Sequence, residues 1–126
     1  MSAIFSGDVL VVEDNIIIAM DAEDVLATLG AARVHSAANV AQARDLIGSE
    51  SIEAAILDYN LDGETSEAVA DQLRSDGTPF VFATGYSGLE ELPARFADCQ
   101  LLQKPYSAED IRAAFAVTRA DPASAA

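Results

Sequence analysis

Short apolar runs alternate with amphipathic segments along the whole chain, and this alternation constrains the fold more than any other feature. The pattern is typical of repeated strand-helix-strand units, in which parallel strands are buried on both faces. We predict strands near residues 8–13, 32–36, 54–58, 79–84 and 99–103. We predict helices near residues 15–29, 39–47, 65–75 and 108–119.

Capping signals support two of these helices. Asn39 and Gln42 suit the start of the second helix, and Gly48 is its predicted terminator. Ser107 and Asp110 have the spacing of a capping box before the last helix. Between the fourth and fifth strands, a proline at position 93 would remove a backbone donor from a longer helix, so we expect a short, irregular or mobile element there.

These elements predict an α/β fold with a doubly wound, five-stranded parallel sheet of order 2-1-3-4-5 and a short or irregular fourth helix. Right-handed crossovers place helices on both faces of such a sheet. A chain of 126 residues is long enough for one sizeable core. We therefore expect one domain over residues 7–119, a short disordered tail over 120–126 and no output domain.

The charge balance excludes several classes of partner. The chain has 21 acidic and 7 basic residues, a formal charge of −14, which repels nucleic-acid backbones and anionic membranes. Cys99 is the only cysteine, so neither an internal disulfide nor a cysteine-based metal cluster can form. No export leader or membrane-length apolar run is evident. We expect a cytoplasmic protein without nucleic-acid or membrane partners.

Polar side chains stand at or just beyond the ends of four predicted strands. They are Glu13, Asp14, Asp58, Thr84 and Lys104. Asp58 ends a buried apolar run, where a carboxylate is costly unless a ligand or a chemical task compensates for it. In the predicted order the first and third strands are neighbours, and ligands bind beyond the carboxyl ends of strands where the chain direction reverses. We expect these side chains to converge in that crevice.

Three carboxylates in one crevice favour a cation there. At ~4 Å and an effective dielectric near ~20, each pair repels by roughly 4 kcal/mol. Oxygen ligands without His or Cys favour Mg²⁺, with Mn²⁺ as a substitute, and Mg²⁺ commonly shares phosphate oxygens. Lys104 and Thr84 could then contact a phosphoryl group, and Asp58 could act as a nucleophile on phosphorus.

These residues, in this order, resemble the receiver domain of two-component response regulators. The matching motifs are Val11-Val12-Glu13-Asp14-Asn15, Leu57-Asp58-Tyr59-Asn60-Leu61-Asp62-Gly63, Ala83-Thr84-Gly85 and Gln103-Lys104-Pro105-Tyr106. The resemblance implies a flavodoxin-like receiver fold in which Asp58 takes a phosphoryl group from a histidine kinase or histidine phosphotransferase. It also implies Mg²⁺ held by Glu13, Asp14, Asp58 and the main-chain carbonyl of Asn60. Lys104 would pair with the phosphoryl group, and Thr84 would shift towards it.

One stretch resembles the signature of a subgroup of single-domain bacterial receivers. It reads Pro79-Phe80-Val81-Phe82-Ala83-Thr84-Gly85-Tyr86. Receivers usually carry a Tyr or Phe three residues before the lysine, whereas this chain has Leu101. We therefore place the conformational response in the backbone of segment 85–97. The expected switch region comprises Gly85, Tyr86, Leu101, Pro105 and Tyr106.

The resemblance predicts a stand-alone phosphoprotein of bacterial signal transduction. It would catalyse only its own phosphorylation and dephosphorylation, and so would not be an enzyme for external substrates. Its output would be a contact with an unknown downstream protein, or service as a phosphate shuttle or sink in a phosphorelay. We expect a monomer or a weak, phosphorylation-dependent dimer.

Alternative functions remain at this point. A degenerate receiver could be a constitutive protein-binding module. A small phosphatase with an aspartyl-phosphate intermediate would want a general acid two residues after Asp58, where Asn60 cannot serve. The run that begins at Asp58 also matches half of a calcium-binding loop, but the bidentate Glu of its twelfth position is replaced by Val69.

Overall fold

The central feature of the computed structural model, which describes residues 3–85 and 92–120, is a five-stranded parallel sheet. Its strands are β1 (Asp8–Val12), β2 (Arg33–Ala37), β3 (Ile52–Asp58), β4 (Phe80–Thr84) and β5 (Leu101–Gln103). The helices are α1 (Ile16–Thr28), α2 (Val40–Ser49), α3 (Glu67–Asp76) and α4 (Ala108–Ala120). The strands lie in the order 2-1-3-4-5, so the predicted doubly wound, flavodoxin-like fold is confirmed.

Buried apolar residues form clusters on both faces of the sheet. Val9 and Val11 of β1 pack on one face with residues of α1 and α4. Leu10 and Val12 pack on the other face with residues of α2 and α3. Burial on both faces explains why the strands are nearly continuous apolar runs. Within the described residues, no helix has the length and apolar character needed to span a membrane.

The predicted caps of α2 and α4 are present. The Gln42 backbone N–H donates to Asn39 Oδ1 at 2.9 Å, and Gln42 Oε1 accepts from the backbone N–H of Ala38 at 2.8 Å. The backbone N–H groups of Ser107 and Asp110 each donate to the other residue's side chain, at 3.0 and 3.2 Å. These reciprocal bonds satisfy donors that the first turn of a helix leaves unpaired.

Gly48 does not end α2, contrary to its predicted role as terminator. The helix continues to Ser49, and the chain leaves it at Glu50, whose backbone is extended with ψ 156°. Glycine is compatible with a helix as well as with its end, so the residue alone does not locate the boundary. The boundary lies where the chain must extend to enter β3, which begins at Ile52.

The described part of the connection between β4 and β5 is irregular, as predicted for the fourth helix. Over residues 92–100 it contains a single 3₁₀ turn, Ala94–Phe96, preceded by Pro93 in an extended conformation. Residues 86–91 lie outside the described residues, and with them the expectations for Tyr86 and for that part of segment 85–97. So does the predicted tail beyond residue 120.

A short antiparallel hairpin follows β3 and was not predicted. It pairs Asn60–Leu61 with Glu64–Thr65, where the sequence predicted no strand. Gly63 lies at its tip with φ 82°, a left-handed conformation that favours glycine. The hairpin places residues 60–65 between the end of β3 and the start of α3.

Candidate functional site

The ends of β1 and β3 bring the three predicted carboxylates together. Val12 and Leu57 are register partners, so Glu13 and Asp58 continue neighbouring strands to the same edge. Glu13 and Asp58 are each 5% exposed, whereas Asp14 is exposed. One carboxylate oxygen of each residue lies within 4.8 Å of those of the others. This is the spacing of groups that can share one cation.

Lys104 lies directly against the two buried carboxylates. Its Nζ is 3.1 Å from Asp58 Oδ2 and 3.2 Å from Glu13 Oε1, and 17% of its side chain is exposed. The Lys104 backbone N–H donates to the carbonyl of Thr84 at 2.9 Å, which fixes the end of β5 beside the end of β4. A single lysine therefore bridges two acids from different strands.

Burial controls the protonation of this cluster. It raises the pKa of Glu13 to about 7, against the lowering effect of a hydrogen bond from the Asn15 backbone N–H. Burial also raises the pKa of Asp58, and the hydrogen bond from Lys104 offsets part of this rise. Burial lowers the pKa of Lys104, but its bonds and charge interactions with Asp58 and Glu13 outweigh burial and raise it overall. The cluster holds excess negative charge that a cation would neutralise.

Local hydrogen bonds orient the residues that follow β1. Glu13 Oε2 accepts from the backbone N–H of Asn15 at 3.1 Å. The Asn15 side chain in turn caps α1, since Oδ1 accepts the backbone N–H groups of Ile17 and Ile18 at 3.0 and 3.2 Å. Asp14 Oδ2 accepts the backbone N–H of Asp62 at 3.1 Å, which ties the hairpin to the acidic cluster.

Thr84 and Asn60 lie at the same edge of the sheet. Thr84 is the last residue of β4 and is 4% exposed, and its neighbour Ala83 is the register partner of Asp58. Asn60 is exposed and opens the hairpin two residues after Asp58. The structure thus places all six residues proposed for phosphorylation and metal binding at the carboxyl end of the sheet: Glu13, Asp14, Asp58, Asn60, Thr84 and Lys104.

The predicted switch residues occupy different environments. Leu101 begins β5 and packs, partly buried, against the apolar cluster of the α2 and α3 face. Tyr106 is partly buried, and burial, followed by the charges of Glu13 and Asp58, raises its pKa. The Lys104–Pro105 peptide bond is cis, and Gly85 is exposed.

Sequence reasoning missed a polar contact that begins one residue after Asp58. The Tyr59 hydroxyl bonds to Glu67 at the start of α3, and Glu67 also pairs with Arg95 of the 94–96 turn. Glu67 and Arg95 are 28 residues apart, and their contact follows no periodic pattern. An acidic residue in the first turn of a helix looks like an ordinary dipole partner, so the sequence carried no signal of this role.

The fold and the lysine-bridged acidic cluster define a receiver-type α/β domain. Residues 9–116 match the family model of the response regulator receiver domain. The chain therefore belongs to the response regulator receiver domain family of two-component signalling. A comparison with curated proteins gave no match.

Solved bacterial structures share the same fold. The solution structure of SdrG from Sphingomonas melonis Fr1 is 42% identical, with 92% of this chain and 97% of that chain covered and a TM-score of 0.79. The BeF3-activated conformation of SdrG from Pseudomonas melonis Fr1 is 40% identical, with coverages of 92% and 97% and a TM-score of 0.74. The PhyR response regulator REC domain of Erythrobacter litoralis is 28% identical, with coverages of 89% and 88% and a TM-score of 0.73.

Proposed function

We propose that this chain is a stand-alone receiver that accepts a phosphoryl group on Asp58 from the phosphohistidine of a histidine kinase or histidine phosphotransferase. The observation that carries the proposal is the position of Lys104 Nζ, within 3.2 Å of both Asp58 and Glu13 in a crevice that gathers three carboxylates. A lysine ammonium group in this position stabilises the negative charge of a transferring phosphoryl group.

The proposed transfer is a displacement at phosphorus. A carboxylate oxygen of Asp58 forms the new bond as the nitrogen-phosphorus bond of phosphohistidine breaks. The departing imidazole nitrogen keeps the electron pair of that bond and takes a proton from water. Lys104 then pairs with a phosphoryl oxygen instead of two carboxylates, and the Thr84 hydroxyl donates to another oxygen.

The donor set fits Mg²⁺, with Mn²⁺ as a substitute. We propose that Glu13, Asp14, Asp58 and the main-chain carbonyl of Asn60 hold the ion, because hard divalent cations take oxygen ligands. With its acids ionised, the group of three carboxylates and Lys104 carries two net negative charges. When bound, the ion would neutralise charge on the carboxylates and on the phosphoryl oxygens. The bond from the Asp62 N–H orients Asp14 for this role.

Exposed apolar side chains at the start of α1 support the idea that the phosphoryl donor is a protein. Ile16, Ile17 and Met20 are 72%, 66% and 57% exposed, although they are large and apolar. They immediately follow the acidic cluster in the chain, since Asn15 is the cap of α1. Clustered exposed apolar side chains are typical of protein interaction sites. We infer that the donor packs on this patch while its phosphohistidine enters the crevice.

The remaining expectations belong to the same proposal. We propose that the receiver domain spans residues 7–119 and that signalling follows from contact with another protein or from shuttling or draining phosphoryl groups. The chain works as a monomer or a weak phosphorylation-dependent dimer in the cytoplasm. It turns over no external substrate.

One experiment separates this function from its alternatives. The protein is incubated with Mg²⁺ and a small acyl phosphate, and the intact chain is weighed. A receiver gains one phosphoryl group, and the gain disappears in Asp58→Asn. A constitutive binding module would gain nothing. A phosphatase would release inorganic phosphate continuously from added phosphate esters, and that result would contradict our proposal.

A further inference from the structure

Tyr59 connects the phosphoacceptor strand to α3 through its hydroxyl group. Tyr59 directly follows Asp58, and its ring is 5% exposed. Its backbone is held on both sides, because its N–H donates to the Ala83 carbonyl and its carbonyl accepts from the Ser66 N–H, each at 3.0 Å. The hydroxyl donates to Glu67 Oε2 at 2.5 Å. The Tyr59 side chain therefore joins the end of β3 to Glu67.

Glu67 passes this contact to the 94–96 turn. Arg95 donates to Glu67 Oε1 at 3.1 Å, and the same guanidinium also bonds to both carboxylate oxygens of Asp71, at 3.2 and 3.1 Å. The hydrogen bond from the Tyr59 hydroxyl, and then the hydrogen bond and the charge of Arg95, lower the pKa of Glu67 and keep it ionised. Arg95 thus has two acidic partners on α3, of which Glu67 contacts Tyr59.

Other contacts hold the turn against α3 without using Glu67. Arg74 Nη1 donates to the carbonyl of Arg95 at 2.7 Å. Phe96 lies beneath these groups, with its ring centroid 5.2 Å from that of Phe82. The turn will therefore stay folded when the polar contact with Glu67 is removed, so its role can be tested separately.

We propose that the Tyr59–Glu67–Arg95 bridge transmits the phosphorylation state of Asp58 to the 94–96 turn, with Glu67 as the positioning residue. The inference rests on the proposed function of Asp58. A phosphoryl group would redirect Lys104 away from the Asp58 carboxylate and require the end of β3 to readjust. Tyr59 shares that strand end but projects to the opposite face, as successive strand residues do. Its hydroxyl can carry the adjustment to Arg95, in a chain where Leu101 replaces the usual aromatic.

Amide hydrogen exchange of residues 92–97, with and without Mg²⁺ and beryllofluoride as a phosphoryl mimic, tests the bridge. Tyr59→Phe removes the hydroxyl but keeps the ring. Glu67→Gln can still accept from Tyr59 but loses the ion pair with Arg95. Asp71→Asn is the matched control, because it removes the charge of the other acidic partner of Arg95 and leaves the bond between Tyr59 and Glu67 in place.

The proposal predicts that the mimic changes exchange in the native chain by about fivefold or more, the lower end of typical coupling between sites. The change should persist in Asp71→Asn and fall below about twofold in Tyr59→Phe and Glu67→Gln. An equal change in the native chain and in Tyr59→Phe would overturn the bridge, as would its loss in Asp71→Asn. Phosphoryl gain from acyl phosphate, weighed separately for each variant, shows whether Asp58 itself has failed.

Discussion

At the scale of single residues, the site is governed by like charges that the fold buries together. Glu13 and Asp58 are almost fully enclosed and share one lysine. Burial raises the pKa of both acids, so the folded state is less stable when they are ionised. Pairs of acids at functional sites commonly show such shifts.

The first prediction concerns the pH dependence of stability without metal. The ordinary pKa of a glutamate side chain is 4.5, whereas the pKa of Glu13 in the folded chain is about 7. Between these values the folded state binds more protons than the unfolded state, so the free energy of unfolding falls as pH rises. We expect Glu13 to contribute about 3 kcal/mol of this fall. Urea unfolding in a chelator across this window measures it, and Glu13→Gln should show a flatter profile. Identical slopes would refute the assignment.

The second prediction concerns metal affinity. Asp14→Ala removes one proposed ligand of Mg²⁺ and should weaken binding about tenfold or more, because a charge at ~4 Å contributes several kcal/mol at an effective dielectric near ~20. Asp62→Ala is the control, since this neighbouring acid donates its backbone N–H to Asp14, and the variant keeps that N–H. Calorimetric titration measures both. Equal affinities in the two variants would show that the ion binds elsewhere.

At the scale of elements, the loops and helix starts at the carboxyl edge carry the site. The cap at Asn15 starts α1 directly beside the acidic cluster and exposes the apolar patch of Ile16, Ile17 and Met20. The hairpin after β3 reaches Asp14 through a backbone N–H. Both features come from short segments whose conformation is fixed by a few local bonds.

The third prediction tests the apolar patch as the donor's docking surface. Ile17→Ser should slow phosphoryl transfer from a phosphorylated histidine phosphotransferase by about tenfold, as one buried aliphatic contact is worth 1 to 3 kcal/mol. Transfer from a small acyl phosphate should be unchanged, because that donor needs no docking. Val117→Ser is the control: Val117 is 51% exposed but lines a pocket with Pro79 and Gln100, at the opposite end of the sheet. Equal losses with both donors would contradict the docking role.

The fourth prediction compares two glycines that have open space around them. Gly63 has φ 82°, so Gly63→Ala should destabilise the chain by about 1 kcal/mol through backbone strain. Gly48 lies inside α2, so Gly48→Ala should stabilise it by about 0.5 to 1 kcal/mol. Chemical denaturation of the two variants measures both changes. A stabilising Gly63→Ala would mean that the hairpin turn does not adopt the left-handed conformation.

At the scale of the whole molecule, strand order explains why the site was visible in the sequence. Once β1 and β3 are neighbours, Glu13 and Asp58 must meet at one edge, and β4 and β5 bring Thr84 and Lys104 to the same edge. Hydrophobic periodicity predicts the alternating strands and helices, and 2-1-3-4-5 is one of the two common strand orders for a doubly wound sheet built from them. The positions of these residues therefore follow from the pattern, and their chemistry stays a proposal.

Other features could not be predicted because they depend on few residues or on distant contacts. The strands Asn60–Leu61 and Glu64–Thr65 are two residues long, which is too short for any periodicity. The boundary of α2 depends on where β3 must begin rather than on Gly48. The contact between Glu67 and Arg95 joins side chains from separate elements, which only the assembled fold brings together.

The most direct test of the central claim is to locate the phosphoryl group. After reaction with Mg²⁺ and a small acyl phosphate, borohydride reduces an aspartyl phosphate to an alcohol that peptide mass spectrometry can map. We predict that the modification falls on Asp58, requires Mg²⁺ and is absent from Asp58→Asn. A modification at another acid such as Asp62, or an unmodified native chain, would contradict the assignment of Asp58 as the phosphoacceptor.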